Sequence, residues 1–126
     1  MSAASYTYSA RSLPTAHARQ QADCEVLARQ LGYDITHVYQ DEGGSRLALD
    51  RLLTDVRGGA VSILLVAGLD RLGRTSGALT SIIDALHDAQ VTLYATGYGA
   101  TPITDVPVLS ILCAIEDYED AITHGL

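Results

Sequence analysis

Lysine is missing from this sequence of 126 residues, and all eight of its basic side chains are arginine. That absence removes P-loop phosphate chemistry, which needs the lysine of a GK[ST] loop. It also argues against a phospho-acceptor receiver domain, whose site uses a lysine. No apolar run approaches the ~20 residues that span a membrane. The first residues, Met1 to Ser5, carry neither a basic stretch nor an apolar core, so no signal peptide is read there and a cytoplasmic location is expected. Cysteine is scarce. Cys24 and Cys113 sit inside apolar helical patterns without metal-ligand spacing, which predicts reduced, buried thiols rather than a disulfide. Internal repeats and low-complexity segments are absent as well.

Basic residues also stop early. Every arginine lies at or before Arg74, where eight acids balance them, and the stretch after it holds seven acids and no arginine. The net charge of −7 therefore belongs to the last third of the chain. An acidic tail repels phosphate.

What is present is the composition of one folded domain: 48% of residues are hydrophobic, too many for a disordered chain and enough for one core at this length. The run Val61 to Ala67 is short, apolar and rich in β-branched residues, as in a strand buried on both faces. Ser5–Ser9, Asp34–Gln40 and Val91–Ala95 read as further strands. Helical spacing predicts helices over Thr15–Leu31, Leu47–Val56, Thr75–Ala89 and Val108–Ile122, the first with Ala22, Val26, Leu27 and Leu31 on its stripe and Gly32 at its end. Asp41 to Ser45 and Gly97 to Pro107 read as loops. This alternation predicts an α/β fold, a mainly parallel sheet of about 4–5 strands with helices on both faces. The helix Val108–Ile122 is apolar around more than half its circumference, which suits a subunit interface as well as a core. Its acidic end opposes the helix dipole.

In a parallel sheet the carboxyl ends of the strands lie together. Arg11 follows the first strand, Arg46 the second, Arg71 and Arg74 the third, with Ser12 and Ser45 beside two of them. Arginines gathered around a hydroxyl suit an oxyanion, because guanidinium forks bind phosphate bidentately and stay charged. A serine held among them can act as a nucleophile. The plainer alternative is that these arginines cap helices or pair with Asp41, Glu42 or Asp70, and that Asp70 is the N-cap of the next helix. The histidines at 17, 37, 87 and 124 show no ligand spacing and read as surface or half-buried. Gly97-Tyr98-Gly99 lacks the context of a dinucleotide loop.

From about Tyr8 to Ile122 the chain resembles the catalytic (resolvase/invertase) domain of serine site-specific recombinases. Leu69-Asp70-Arg71-Leu72-Gly73-Arg74 matches the LDRLxR motif of that family. Gly32-Tyr33-Asp34-Ile35, with Tyr39-Gln40-Asp41-Glu42-Gly43-Gly44-Ser45, is similar to its GY…yxDeGxSG element. Leu52 to Gly59 and Ile82 to Leu86 follow in the same order. The resemblance implies a single catalytic domain over residues 1–126, with no DNA-binding domain within it. It implies cleavage and rejoining of DNA through a 5′-phosphoserine intermediate, with no metal or nucleotide cofactor. It places Ser12 as nucleophile and Ser45, Arg46, Asp70, Arg71 and Arg74 at active-site positions. It implies a homodimer or tetramer joined through the Val108–Ile122 helix. Departures from the pattern are specific. Ala10 stands where the family has an arginine two before the serine, and Arg11 is adjacent instead, able to serve only if the chain turns there, since strand neighbours point to opposite faces. The loop before Arg46 is several residues short, and Leu47 replaces a proline. Ala16 takes the place of a glutamine in the first helix, with Gln20 and Gln21 further along. DNA affinity rests largely on phosphate neutralisation, so this chain alone is expected to hold DNA weakly. The competing reading is a silent relative that keeps the fold as a dimerisation or regulatory module.

Overall fold

Strand and helix alternate through a computed structural model of the chain, in the order β1 (Ala3–Ser9), α1 (Pro14–Leu31), β2 (Ile35–Glu42), α2 (Leu47–Arg57), β3 (Ile63–Val66), α3 (Leu69–Leu72), α4 (Ser76–Asp88) and β4 (Thr92–Ala95), with a 3-10 turn at Thr96–Tyr98. The structure describes residues 2–10, 14–73, 76–98 and 102. The expected helix Val108–Ile122 and most of the expected loop Gly97–Pro107 lie outside the described residues.

The strands form a single parallel sheet in the order β2-β1-β3-β4. Its two faces are covered differently. One packs Ala4, Tyr6, Leu64, Val66 and Leu93 against Leu49, Leu52 and Val56 of α2 and Leu79, Ile83 and Leu86 of α4. The other packs Ala3, Ile63, Leu65 and Tyr94 against Cys24, Leu27 and Ala28 of α1. The apolar run of β3 is buried along its whole length, as a strand between two covered faces must be. β2 is an edge strand and alternates instead, with Tyr39 and Asp41 inward and Thr36, Val38, Gln40 and Glu42 outward.

Several boundaries differ from the sequence reading. β2 runs on through Asp41 and Glu42, which pair with Tyr8 and Ser9, so the two acids are strand rather than loop. The stripe of α1 is rotated: Val26 is 48% exposed, while His17, Gln20 and Cys24 are buried. Its end is as expected. Gly32 adopts φ +81, the left-handed conformation that closes a helix, and Tyr33 N–H then reaches back to the carbonyl of Ala28 at 2.9 Å.

The LDRL motif forms its own turn. Leu69–Leu72 is a one-turn helix preceded by Gly68 and followed by Gly73 in extended conformation. Asp70 is therefore not the N-cap of the helix that follows, which begins at Ser76. The turn seats against α4 through Gly73, where a Cβ would stand 2.9 Å from the backbone nitrogen of Leu79. That is closer than real Cβ atoms come to neighbours, so glycine sets the distance between α3 and α4.

Candidate active site

Strand order determines where a site can form. From β1 the chain passes through α1 to β2 on one side, then returns through α2 to β3 on the other. The order of the sheet therefore reverses between β1 and β3. The helix after β1 covers one face and α4, after β3, covers the other. At such a switch point the connections diverge and leave a crevice at the carboxyl ends of the strands, where ligands bind in open α/β sheets. Here that position falls between the end of β1, which precedes Ser12 in the chain, and the LDRL turn.

Two of the predicted arginines meet at that point. The guanidinium of Arg46 lies 4.2 Å above the ring of Tyr8. Its Nη1 donates to Tyr6 Oη at 3.0 Å and to the carbonyl of Arg71 at 2.9 Å. Nη1 of Arg71 reaches the Tyr8 carbonyl at 3.5 Å. Among the described side chains neither guanidinium is paired with a carboxylate. Of the expected alternative, pairing of these two arginines with Asp41 or Glu42 does not occur; Arg46 holds the N-cap position of α2 without a side-chain capping bond, and the side chain of Asp70 lies outside the described residues. Both charges instead rest on neutral oxygens and an aromatic face, which orient a cation without cancelling it.

Asp41 is committed elsewhere. Its carboxylate accepts from the backbone N–H groups of Ala48 and Leu49, each at 2.9 Å, and from Tyr6 Oη at 2.9 Å. It caps the amino end of α2 from a distance, where the helix's own N-cap residue, Arg46, makes no side-chain capping bond. A carboxylate at a helix amino terminus is favoured by the orphan N–H groups and by the dipole. Burial, reinforced by the bond to Asp41, holds the Tyr6 phenol above its ordinary pKa. Tyr6 therefore stays protonated, donating to Asp41 and accepting from Arg46. Tyr8 Oη donates to the carbonyl of Gly43, and Gly43 N–H to the carbonyl of Ser9 at 2.9 Å. These bonds pull the short loop before Arg46 onto the end of β1.

The opposite face of β1 is polar as well. β1 pairs with β3 only as far as Tyr6, opposite Val66. Beyond it the ladder has no strand on that side, and the carboxamide of Gln20 takes its place. Gln20 Oε1 accepts from Tyr8 N–H at 2.9 Å and Gln20 Nε2 donates to the Tyr8 carbonyl at 2.7 Å. A primary amide carries one acceptor and a pair of donors, so it can stand in for a peptide group. Ser5 Oγ donates to Gln21 Oε1 at 2.6 Å. His17, expected at the surface or half-buried, is 5% exposed. Its Nδ1 lies 2.8 Å from Thr7 Oγ1, and its Nε2 lies 3.3 Å from Glu42 Oε1 without hydrogen-bond alignment.

Of the predicted site residues, the structure brings Arg46 and Arg71 together. Ser45 is exposed at the start of α2, its Oγ 3.4 Å from the N–H of Leu47. Asp70 lies in α3, its side chain outside what the structure describes, and Arg11, Ser12 and Arg74 are likewise outside the described residues. Tyr6 and Gln20 escaped the sequence reading as site residues. A tyrosine in a strand reads as β-propensity, and the pair Gln20-Gln21 inside a helix was the available signal for the second. Among the described residues no cluster of His, Cys, Asp or Glu could hold a metal ion, and no helix is long and apolar enough to cross a membrane.

The fold and this edge define a class: a doubly wound α/β domain with two arginines at its switch point that have no carboxylate partner among the described side chains. The family is more specific. The model of the Resolvase, N terminal domain family matches residues 8–124, and the chain belongs to that family. No curated protein matches it in sequence. Among solved structures it is similar to a resolvase family site-specific recombinase from Streptococcus pneumoniae, with a TM-score of 0.78 and 23% identity over 98% of this chain and 91% of that one. The N-terminal catalytic domain of TP901-1 integrase gives 0.76 and 21% over 98% and 99%. The C-terminal catalytic domain of ISC1926 TnpA, an IS607-like serine recombinase, gives 0.70 and 23% over 76% and 67%. At these identities the likeness is one of fold.

Proposed function

We propose that this chain is the catalytic domain of a serine recombinase, which cuts and rejoins DNA through a 5′-phosphoserine. One observation carries the reading: Arg46 and Arg71 converge on the carboxyl end of β1 with only neutral partners among the described side chains. That strand leads directly to Ser12. Ser12 Oγ attacks the scissile phosphorus, the P–O3′ bond breaks, and the 3′ oxygen leaves as a hydroxyl while the serine proton is released. Arg46, Arg71 and Arg74 neutralise charge that builds on the non-bridging oxygens, with Arg11 assisting. Asp70 orients an arginine of this set, and Ser45 belongs to the same edge. The phosphoserine conserves the energy of the bond, so religation by the 3′ hydroxyl needs no external cofactor. DNA is the partner, held weakly by this chain alone, and subunits join through Val108–Ile122 as a dimer or tetramer.

The test is covalent trapping. The chain, or its fusion to a foreign DNA-binding domain, is incubated with nicked recombination-site DNA and resolved under denaturing conditions. A protein–DNA adduct that disappears in Ser12→Ala is expected. An adduct that survives Ser12→Ala defeats the mechanism, and no adduct from either form returns the chain to a silent interaction module.

A further inference from the structure

We infer that Tyr6 is a positioning residue: its hydroxyl bridges Asp41 to Arg46 and fixes which edge of the Arg46 guanidinium is left for the scissile phosphate. The inference rests on the recombinase reading above, but its geometry does not. Tyr6 Oη makes a hydrogen bond on each side, donating to Asp41 Oδ2 at 2.9 Å and accepting from Arg46 Nη1 at 3.0 Å. The direction is unambiguous, because Asp41 already accepts from the amino end of α2 and a guanidinium can only donate. The second Nη1 hydrogen goes to the Arg71 carbonyl at 2.9 Å. Nη1 is thereby fully used. Nε and Nη2 keep their hydrogens free of the described residues, and together they form the side-on fork that grips an oxyanion bidentately.

The anchors also come from three different elements. Asp41 is the penultimate residue of β2, Tyr6 and Tyr8 belong to β1 and the Arg71 carbonyl to α3, while Arg46 itself precedes α2. The hydroxyl of Tyr6, which is fully buried, is the atom through which the α2 amino end and the guanidinium share a carboxylate. Arginine loses much rotamer freedom when it is held. Paying that cost in the free protein leaves a preorganised donor pair for the transition state.

Tyr6→Phe removes one oxygen and keeps the ring that fills the core. The expected result is a folded protein whose trapping rate at saturating nicked DNA falls by about tenfold, the scale of a hydrogen bond to a charged group. Half-saturation for DNA stays within about twofold, since the loss is in orientation rather than in charge. In an Arg46→Lys background, which lacks the fork, the same substitution should change the rate little. An equal loss in both backgrounds, or none in either, overturns the inference. A second measurement separates its failure from that of the recombinase reading. Nitrogen NMR of the guanidinium should show separate, slowly rotating Nη signals for Arg46 in the wild type, merged in Tyr6→Phe. If the wild type forms no adduct, the enzymatic reading falls while the NMR result still decides the anchoring. Identical Arg46 spectra in both proteins would refute it.

Discussion

The two faces of β1 are both buried, yet they are built from opposite chemistry. The face bearing Tyr6 and Tyr8 joins the large apolar cluster and ends in a charged network around Arg46 and Asp41. The face bearing Ser5, Thr7 and Ser9 is made of small hydroxyls, and α1 answers it with Gln21, His17 and Gln20. Buried polar groups must find partners. The difference teaches how one strand can serve two masters: the tyrosine face organises charge for the candidate site, and the hydroxyl face holds the strand to the helix that follows residues 11–13.

Removing Asp41 should do the greatest damage. Asp41→Ala strips the carboxylate from the Ala48 and Leu49 N–H groups and from Tyr6 Oη together. A loss of about 3 kcal/mol in urea unfolding is expected, from the cap and the buried donors left without acceptors. On the other face, Gln20→Ala removes both bonds to the backbone N–H and carbonyl of Tyr8, and about 2 kcal/mol is expected, since the partners are neutral. A larger loss for Gln20→Ala than for Asp41→Ala would reverse the contrast between the faces.

Alkaline titration sharpens it further. Burial, with the nearby Asp23 and Glu25 adding to it, pushes the Cys24 thiol up to about 12. Burial and the bond to Asp55 push the Tyr39 phenol up to about 12. The folded state then keeps protons that the unfolded chain has already lost. Stability is complete below the ordinary values of these groups and falls as pH rises from about 9 towards 12. Urea midpoints measured across that range should fall, and Cys24→Ala should flatten the first part of the decline. A flat profile in the wild type contradicts the sign. The smallest effect belongs to Val26, which is 48% exposed: Val26→Gln should change stability by less than about 0.5 kcal/mol, whereas the stripe read from periodicity would require a core-sized loss.

The parts of the fold legible in the sequence are those with one dominant period. β3 is a continuous apolar run, and α2 and α4 carry single apolar stripes, so their identities and approximate spans could be read. α1 misled because its inner face changes character along its length, from His17 and Gln20 to Cys24, Leu27 and Ala28. Apolar spacing then pointed towards Val26. Asp41 and Glu42 looked like loop residues because charge is usual there, whereas at an edge strand one of the pair can face solvent and the other can cap a helix. That Arg46 and Arg71 meet at the carboxyl end of β1 was legible from the logic of strand ends together with the LDRLxR resemblance. The Tyr6 bridge could not be found that way. It depends on a β1–β2 register that sets Tyr6 beside Tyr39 and Tyr8 beside Asp41, which no local pattern encodes.

The carboxamide of Gln20, standing where a neighbouring strand would be, changes what governs the Tyr8 amide proton. The Tyr6 region is held by β3, so its solvent exchange should require the sheet itself to open. Tyr8 N–H is held by α1 alone. In deuterium its exchange should follow the lifting of a single helix, an event of lower free energy than global unfolding. Neighbouring positions of the same strand would then run on separate clocks, and the faster one sits at the step leading to Ser12.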